Sequence, residues 1–177
     1  MSLDLLFRRS QVIQCLYQCM KASAVGKRCS VADRAYCAGL IDGDGAIMAL
    51  IEPHNEKKFR FRVRIELKVT QKKKRDLVFL PVLLGCGSVR TNRTTCDWIT
   101  RDQKEIVRVL SMIRRYSKMK QKQIQYACEI IQTPVRAFAD LKRVARLADS
   151  LSKFNVRSNN RRKNYAAMIQ EHLSSND

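Results

Sequence analysis

The chain has 177 residues, enough for one ordinary domain with a buried core, and its 45% hydrophobic content excludes a chain disordered by composition. Lys and Arg number 35 against 16 Asp and Glu, a formal net charge of +19, which points to a polyanionic partner: nucleic acid before an anionic membrane surface. No apolar run reaches membrane-spanning length. The seven cysteines are odd in number, irregularly spaced and without a CxxC pair, so they read as free thiols of a reducing compartment and not as zinc ligands. Charge alone also suits a solubility device or a ribosome-bound structural protein.

Taken in chain order, residues 1–27 read as an extra N-terminal helix with a short linker, and 28–177 as one domain. The N-terminal stretch also resembles a transit peptide in its scarcity of acids. Ser30-Val31-Ala32-Asp33 is a capping box with Asp in place of Glu. A helix is predicted from there to Asp42, stopped by Gly43 and Gly45. A first strand follows over Ala46 to Glu52, then a turn at Pro53-His54-Asn55-Glu56. Phe59, Phe61, Val63, Ile65, Leu67 and Val69 alternate with Arg60, Arg62, Arg64, Glu66 and Lys68, a strand with one dry and one charged face.

Leu77 to Leu84 reads as a short helix interrupted by Pro81, and Ser88–Asn92 with Thr95–Thr100 as a hairpin around Arg93-Thr94. Helices are predicted over Gln103–Tyr116 and Gln121–Gln132. A long helix is expected from an N-cap at Thr133, with Pro134 in its first turn, to about Phe154. A basic loop over Asn155 to Lys163 and a last helix with Tyr165, Met168, Ile169 and His172 close the chain. The order α-β-β-α-β-β-α-α-α-α defines an α+β domain: a four-stranded antiparallel sheet with helices packed on one face.

Chemistry concentrates at the first helix. Ala35, Ala38, Gly39 and Asp42 fall at i, i+3, i+4 and i+7, a stripe almost without side chains. Cys37, Leu40 and Ile41 form a neighbouring apolar stripe. Small residues at this spacing let two helix backbones approach closely, either within one chain or between two copies. Asp44 lies just past the expected helix end. Two such helices, one per subunit, bring two carboxylates together beside a two-fold axis. Paired carboxylates are hard oxygen ligands for Mg²⁺, which activates water and stabilises the leaving oxygen of a phosphodiester.

Cys37-Ala38-Gly39-Leu40-Ile41-Asp42-Gly43-Asp44-Gly45 resembles the LAGLIDADG motif, departing at its first position and at Gly43. Val69-Thr70-Gln71-Lys72, Gly85-Cys86-Gly87-Ser88-Val89-Arg90 and Lys118-Met119-Lys120-Gln121-Lys122-Gln123 resemble further segments of the family in the same order. Most of the chain from Ser30 onward is similar to a single-motif LAGLIDADG homing endonuclease of the group I intron type. The resemblance implies that Asp44 binds metal and is catalytic, and that the Gly43 carbonyl helps hold the ion. It implies that Gln71 positions solvent around the nucleophile, that Arg75 lies near the scissile phosphate, and that Lys120 activates water or stabilises charge. It gives Ala35, Ala38, Gly39 and Asp42 to the helix interface of a homodimer. It further implies Mg²⁺ with Mn²⁺ as substitute, Ca²⁺ binding without cleavage, a double-stranded DNA partner, no membrane, and an organelle location.

The same resemblance lays the sheet along the DNA major groove. Candidate contacts are then Met48, Leu50, Glu52 and His54 on the first strand, and Lys57, Arg60, Arg62, Arg64, Glu66 and Lys68 on the second with its preceding turn. Ser88, Arg90, Asn92, Arg93, Asp97 and Ile99 follow from the second hairpin. Arg and Asn pair bidentately with guanine and adenine edges; any of these side chains can instead meet phosphate or solvent. Arg157, Arg161, Arg162 and Lys163 in the basic loop suit phosphates. An RNA maturase assisting intron splicing, and a non-catalytic DNA-binding regulator on the same scaffold, are the competing readings. Asp44, Gln71 and Lys120 together favour the nuclease, since a carboxylate at a polyanion interface otherwise repels the ligand.

Overall fold

The computed structural model describes residues 29–155 and 164–174. The expected N-terminal helix and the basic-loop residues Arg157, Arg161, Arg162 and Lys163 lie outside them. Helix α1 spans Val31–Asp44, followed by strands β1 (Gly45–Pro53) and β2 (Phe61–Gln71), a 3₁₀ turn (Lys74–Asp76) and the short helix α2 (Leu80–Leu84). Strands β3 (Ser88–Thr91) and β4 (Cys96–Thr100) come next, then helices α3 (Gln103–Ile113), α4 (Gln121–Gln132), α5 (Phe138–Asn155) and α6 (Tyr165–Ser174). The four strands pair antiparallel in the order β1-β2-β4-β3.

The capping box opens α1 as the sequence suggests: Asp33 N–H donates to Ser30 Oγ at 3.1 Å, and Ser30 N–H to Asp33 Oδ2 at 2.9 Å. The helix then runs two residues beyond the expected stop. A Cβ on Gly43 would meet nothing within 4 Å, so that glycine imposes no break. The break comes at Gly45, whose extended backbone turns straight into β1 while its N–H donates to the Ile41 carbonyl. A Cβ there would lie 2.5 Å from that carbonyl oxygen and 2.8 Å from Ile41 Cα. Asp44 is therefore the last residue of the helix and not one beyond it.

The dry faces of β1 and β2 carry Ile47, Ile51, Phe61, Ile65, Leu67 and Val69, buried against Cys37, Ala38 and Ile41 of α1 and the apolar stripes of α3, α4 and α5. Trp98 of β4 is fully buried, and its indole N–H reaches the Cys86 carbonyl at 3.1 Å. Gly87, at φ +76°, passes so close that a Cβ would sit 2.6 Å from Trp98 Nε1.

Several element starts differ from the sequence reading; α2 begins at Leu80 and not at Leu77, so that Pro81 sits in its first turn and does not interrupt it. Arg60 has a left-handed backbone (φ 58°) and donates to Lys57 O at 2.7 Å, so it belongs to the β1–β2 turn and β2 begins at Phe61. Helix α5 begins at Phe138 and not at Pro134. The Asp140 carboxylate takes the N–H groups of Ala137 and Arg136 at 2.8 and 3.0 Å, while Thr133 closes α4 through Glu129 O. The outer edge of β1 is covered by side chains: Asn155 Nδ2 donates to Ile47 O at 2.5 Å and Tyr165 Oη to Ala49 O at 3.1 Å. Along β2, β4 pairs only with Leu67–Gln71, and past its end the Gln103 amide bonds both backbone groups of Ile65 at 2.9 Å.

Candidate nuclease site and nucleic-acid face

The junction of α1 and β1 delivers Asp44 to the surface. Its Oδ2 accepts a 2.7 Å hydrogen bond from Gln71 Nε2, at the end of β2, and its other oxygen has no partner among the described residues. Gly43 is exposed beside it, and as one of the last carbonyls of α1 its oxygen has no partner along the helix. A free carboxylate oxygen and a free carbonyl are hard donors suited to Mg²⁺. No cluster of three or more acidic, His or Cys ligands occurs among the described residues. Lys72, Lys73 and Lys74 follow Gln71, all exposed. Arg75 lies in the 3₁₀ turn, 75% exposed and 3.6 Å from Asp76; no contact joins it to Asp44. Lys120 is the N-cap residue of α4, half-buried.

Asp42 faces the other way. It is buried, and its carboxylate accepts from Ser117 Oγ at 2.5 Å, Lys118 N at 2.6 Å and Met119 N at 3.0 Å. Burial pushes its carboxyl up, but the Ser117 hydroxyl and the N–H groups of Lys118, Met119 and Lys120 outweigh this and hold it below the usual carboxylate range. Of the four residues expected at a helix interface, Ala38 and Asp42 are thus covered by their own chain, because the inward stripe of α1 is Cys37, Ala38, Ile41 and Asp42. Ala35 and Gly39 are exposed, together with Tyr36 and Gly43.

The sheet face turned away from the helices carries the expected alternation. Register places Met48 opposite Glu66, Leu50 opposite Arg64 and Glu52 opposite Arg62; Ser88, Ile99 and Lys68 form one cross-sheet row, and Arg90, Asp97 and Thr70 another. The three acids of this face are all engaged by their own chain. Arg64 meets Glu52 at 3.0 Å, and Arg101 Nε meets the buried Glu66 at 2.5 Å. Asp97, also buried, accepts from Thr70 Oγ1 at 2.6 Å and from Asn92 Nδ2, with Lys68 Nζ at 3.6 Å. Glu52, Glu66 and Asp97 therefore aim neighbouring cations and amides, a role the sequence reading did not give them. Arg62, Arg90 and Arg93 have no partner among the described residues and are exposed. Lys57 and Arg60 sit in the β1–β2 turn, and His54 at its start is half-buried with its backbone N–H on Arg60 O.

Thr70 and Arg101 also lie on this face, where they contact Asp97 and Glu66, and the sequence reading did not name them as contacts. Both were within its reach: Thr70 continues the Arg64-Glu66-Lys68 alternation, and Arg101 continues Asp97-Ile99. Ser117 carried no such signal.

A helix ending in a free carboxylate against a sheet with a cationic open face defines a class, and the sequence comparison agrees with it. The chain belongs to the LAGLIDADG endonuclease family, whose sequence profile matches residues 37–131. It is 36% identical over 100 residues to the DNA endonuclease I-CreI of Chlamydomonas reinhardtii, covering 55% of this chain and 61% of that relative. To the DNA endonuclease I-CvuI of Chlorella vulgaris it is 29% identical over 101 residues, covering 55% and 63%. The aligned stretch thus spans less than two thirds of either relative. In three dimensions the similarity is broader. A crystal structure of I-CvuI in complex with the I-CreI target, with Mg present and the DNA not cleaved, covers 81% of this chain and 94% of its own, with TM-score 0.74 and 25% identity. A second I-CvuI structure, with its own target and Ca, gives TM-score 0.73 at 25% identity.

Proposed function

We propose that this chain is a site-specific homing endonuclease that makes a Mg²⁺-dependent double-strand break in a long pseudo-palindromic DNA target and leaves 3′ overhangs. The observation that carries this reading is the Asp44 carboxylate, exposed at the end of α1 and steadied by Gln71. A protein that only binds DNA or RNA gains nothing from an outward carboxylate there, which favours the nuclease over a maturase or a regulator. I-CvuI structures that hold target DNA in the presence of Mg or of Ca are consistent with a divalent ion at the same place. Mn²⁺ is the expected substitute, and Ca²⁺ supports binding without cleavage.

One motif per chain calls for two chains. The exposed Ala35, Gly39 and Gly43 side of α1 suits close approach of a second copy, bringing two Asp44 carboxylates to one axis. Asp44 and the Gly43 carbonyl would hold the metal, which would supply Lewis acidity and lower the pKa of a bound water. Gln71 orients solvent, Lys120 offers a cation to the developing negative charge, and Arg75 meets the phosphate backbone. Arg62, Arg90 and Arg93 are free for direct contacts; Lys68 and Asn92 are aimed by Asp97. Arg157, Arg161, Arg162 and Lys163 suit phosphates flanking the site. The organelle setting of group I introns is the proposed location.

Incubating the protein with a randomised DNA library in Mg²⁺ or Ca²⁺, followed by sequencing of the ends, tests the reading. A single two-fold-related site cut with 3′ overhangs in Mg²⁺, and bound uncut in Ca²⁺, is expected. Binding without cutting in Mg²⁺ returns the chain to the regulator class.

A further inference from the structure

We infer that Asp42 is a positioning residue for Lys120: α1 uses its two acids for opposite tasks, Asp44 outward toward metal and Asp42 inward as the clasp of the α3–α4 connection. The inference rests on the nuclease reading, in which Lys120 serves the reaction. The connection leaves α3 at Arg114 and enters α4 at Gln121. Two side chains hold it. Asp42 takes the Ser117 hydroxyl and the N–H groups of Lys118 and Met119. From within the connection's own end, Gln121 Nε2 donates to the carbonyls of Arg114 and Ser117 at 2.5 and 2.7 Å.

The clasp is dry, with Asp42 at 7% and Ser117 at 2% exposure. A buried carboxylate bonded three times fixes its donors more firmly than a solvated one, and removing it leaves those donors unpaired. The residue next in line is Lys120. Asp42 is also two residues from Asp44 along a helix whose end is locked by the Gly45 junction. The backbone that carries Lys120 is therefore tied directly to the helix turn that carries Asp44, with no intervening element. Met119 is 76% exposed and is not part of the buried core. Asparagine at position 42 is nearly isosteric, but its amide would present N–H groups to donors and can accept through one oxygen only.

The test uses the full chain and a site recovered from the library. Single-turnover cleavage in Mg²⁺, DNA affinity in Ca²⁺ and thermal melting are measured for wild type, Asp42→Asn, Lys120→Met and the double variant. Asp42→Asn is expected to slow cleavage about 10- to 100-fold, the size of effect carried by hydrogen bonds to a charged group, with DNA affinity unchanged. The double variant is expected to cleave at the rate of Lys120→Met alone, since a group acting through another adds nothing once that group is gone. Losses that multiply, or wild-type cleavage by folded Asp42→Asn, overturn the inference. If Asp42→Asn does not fold, Ser117→Ala, which removes one of the three donors, is read by the same cycle against Lys120→Met. A wild-type protein that binds the site but never cuts refutes the nuclease reading itself, an outcome distinct from either.

Discussion

The side-chain amide of Gln71, the last residue of β2, donates a 2.7 Å hydrogen bond to the carboxylate of Asp44, the last residue of α1. Helix and sheet thus meet at Asp44, the acid proposed to bind metal, and its orientation is set by a strand. Replacing Gln71 with Ala is expected to slow cleavage about tenfold. That is the lower end of what a hydrogen bond to a charged group carries, because Asp44 is exposed. Gln71→Glu, which sets a second carboxylate beside Asp44, is expected to lower the Mg²⁺ concentration needed for half-maximal rate. Metal titration of both variants checks this.

The glycines of α1 separate two kinds of contact. Gly45→Ala puts a methyl 2.5 Å from the Ile41 carbonyl oxygen and is expected to destabilise the fold by about 1–3 kcal/mol, as overpacking does. A Cβ at Gly39 meets nothing within 4 Å in its own chain, and the residue is exposed, so in Gly39→Leu the fold should survive while the pairing of two helices does not. Circular dichroism and sedimentation velocity together read the difference: Gly39→Leu native in spectrum and monomeric, Gly45→Ala with a lowered denaturation midpoint.

Asp97 is expected to act on both stability and recognition. Alanine there leaves the Thr70 hydroxyl and the Asn92 amide without their buried acceptor, at a cost of about 1–3 kcal/mol in urea unfolding. Lys68 and Asn92 lose their aim, so the cleaved sites recovered from a library should become less uniform at the base pairs these two face. An unchanged site profile would remove Asp97 from recognition.

The start of α5 gives a pH signature. Hydrogen bonds from the Ala137 and Arg136 N–H groups hold the Asp140 carboxyl below its ordinary range. A depressed folded-state pKa means that the stabilisation is complete above the unfolded-state value of about 3.9 and is lost as pH falls through the folded value. The penalty of Asp140→Ala, followed by urea unfolding, should therefore be constant at neutral pH and shrink in acid below roughly pH 4.

The strand alternation from Phe61 to Val69 makes the sheet and its two faces legible in the sequence, because period two survives any packing partner. Ends were harder. Pro134 signals a helix start, yet Asp140, well downstream, decides where α5 begins by capturing two N–H groups. Gly43 signals a stop, yet the steric contact of Gly45 with Ile41 is what ends α1. At the site, Asp44 was legible from its motif. The inward turn of Asp42 was not, since its partners are 75 to 77 residues away in sequence. Nor could spacing alone say which of two adjacent stripes on α1 faces the core: Ala38 lies inward and Ala35 outward although both belong to the small-residue set.

The most direct test of the central claim is the single-turnover cleavage rate of Asp44→Asn beside wild type, in Mg²⁺, on the recovered site, with binding measured in parallel in Ca²⁺. Wild type should cut both strands, and Asp44→Asn should bind the same DNA and leave it intact. Cleavage by Asp44→Asn at the wild-type rate would contradict the assignment of the carboxylate at the end of α1 as the catalytic metal ligand.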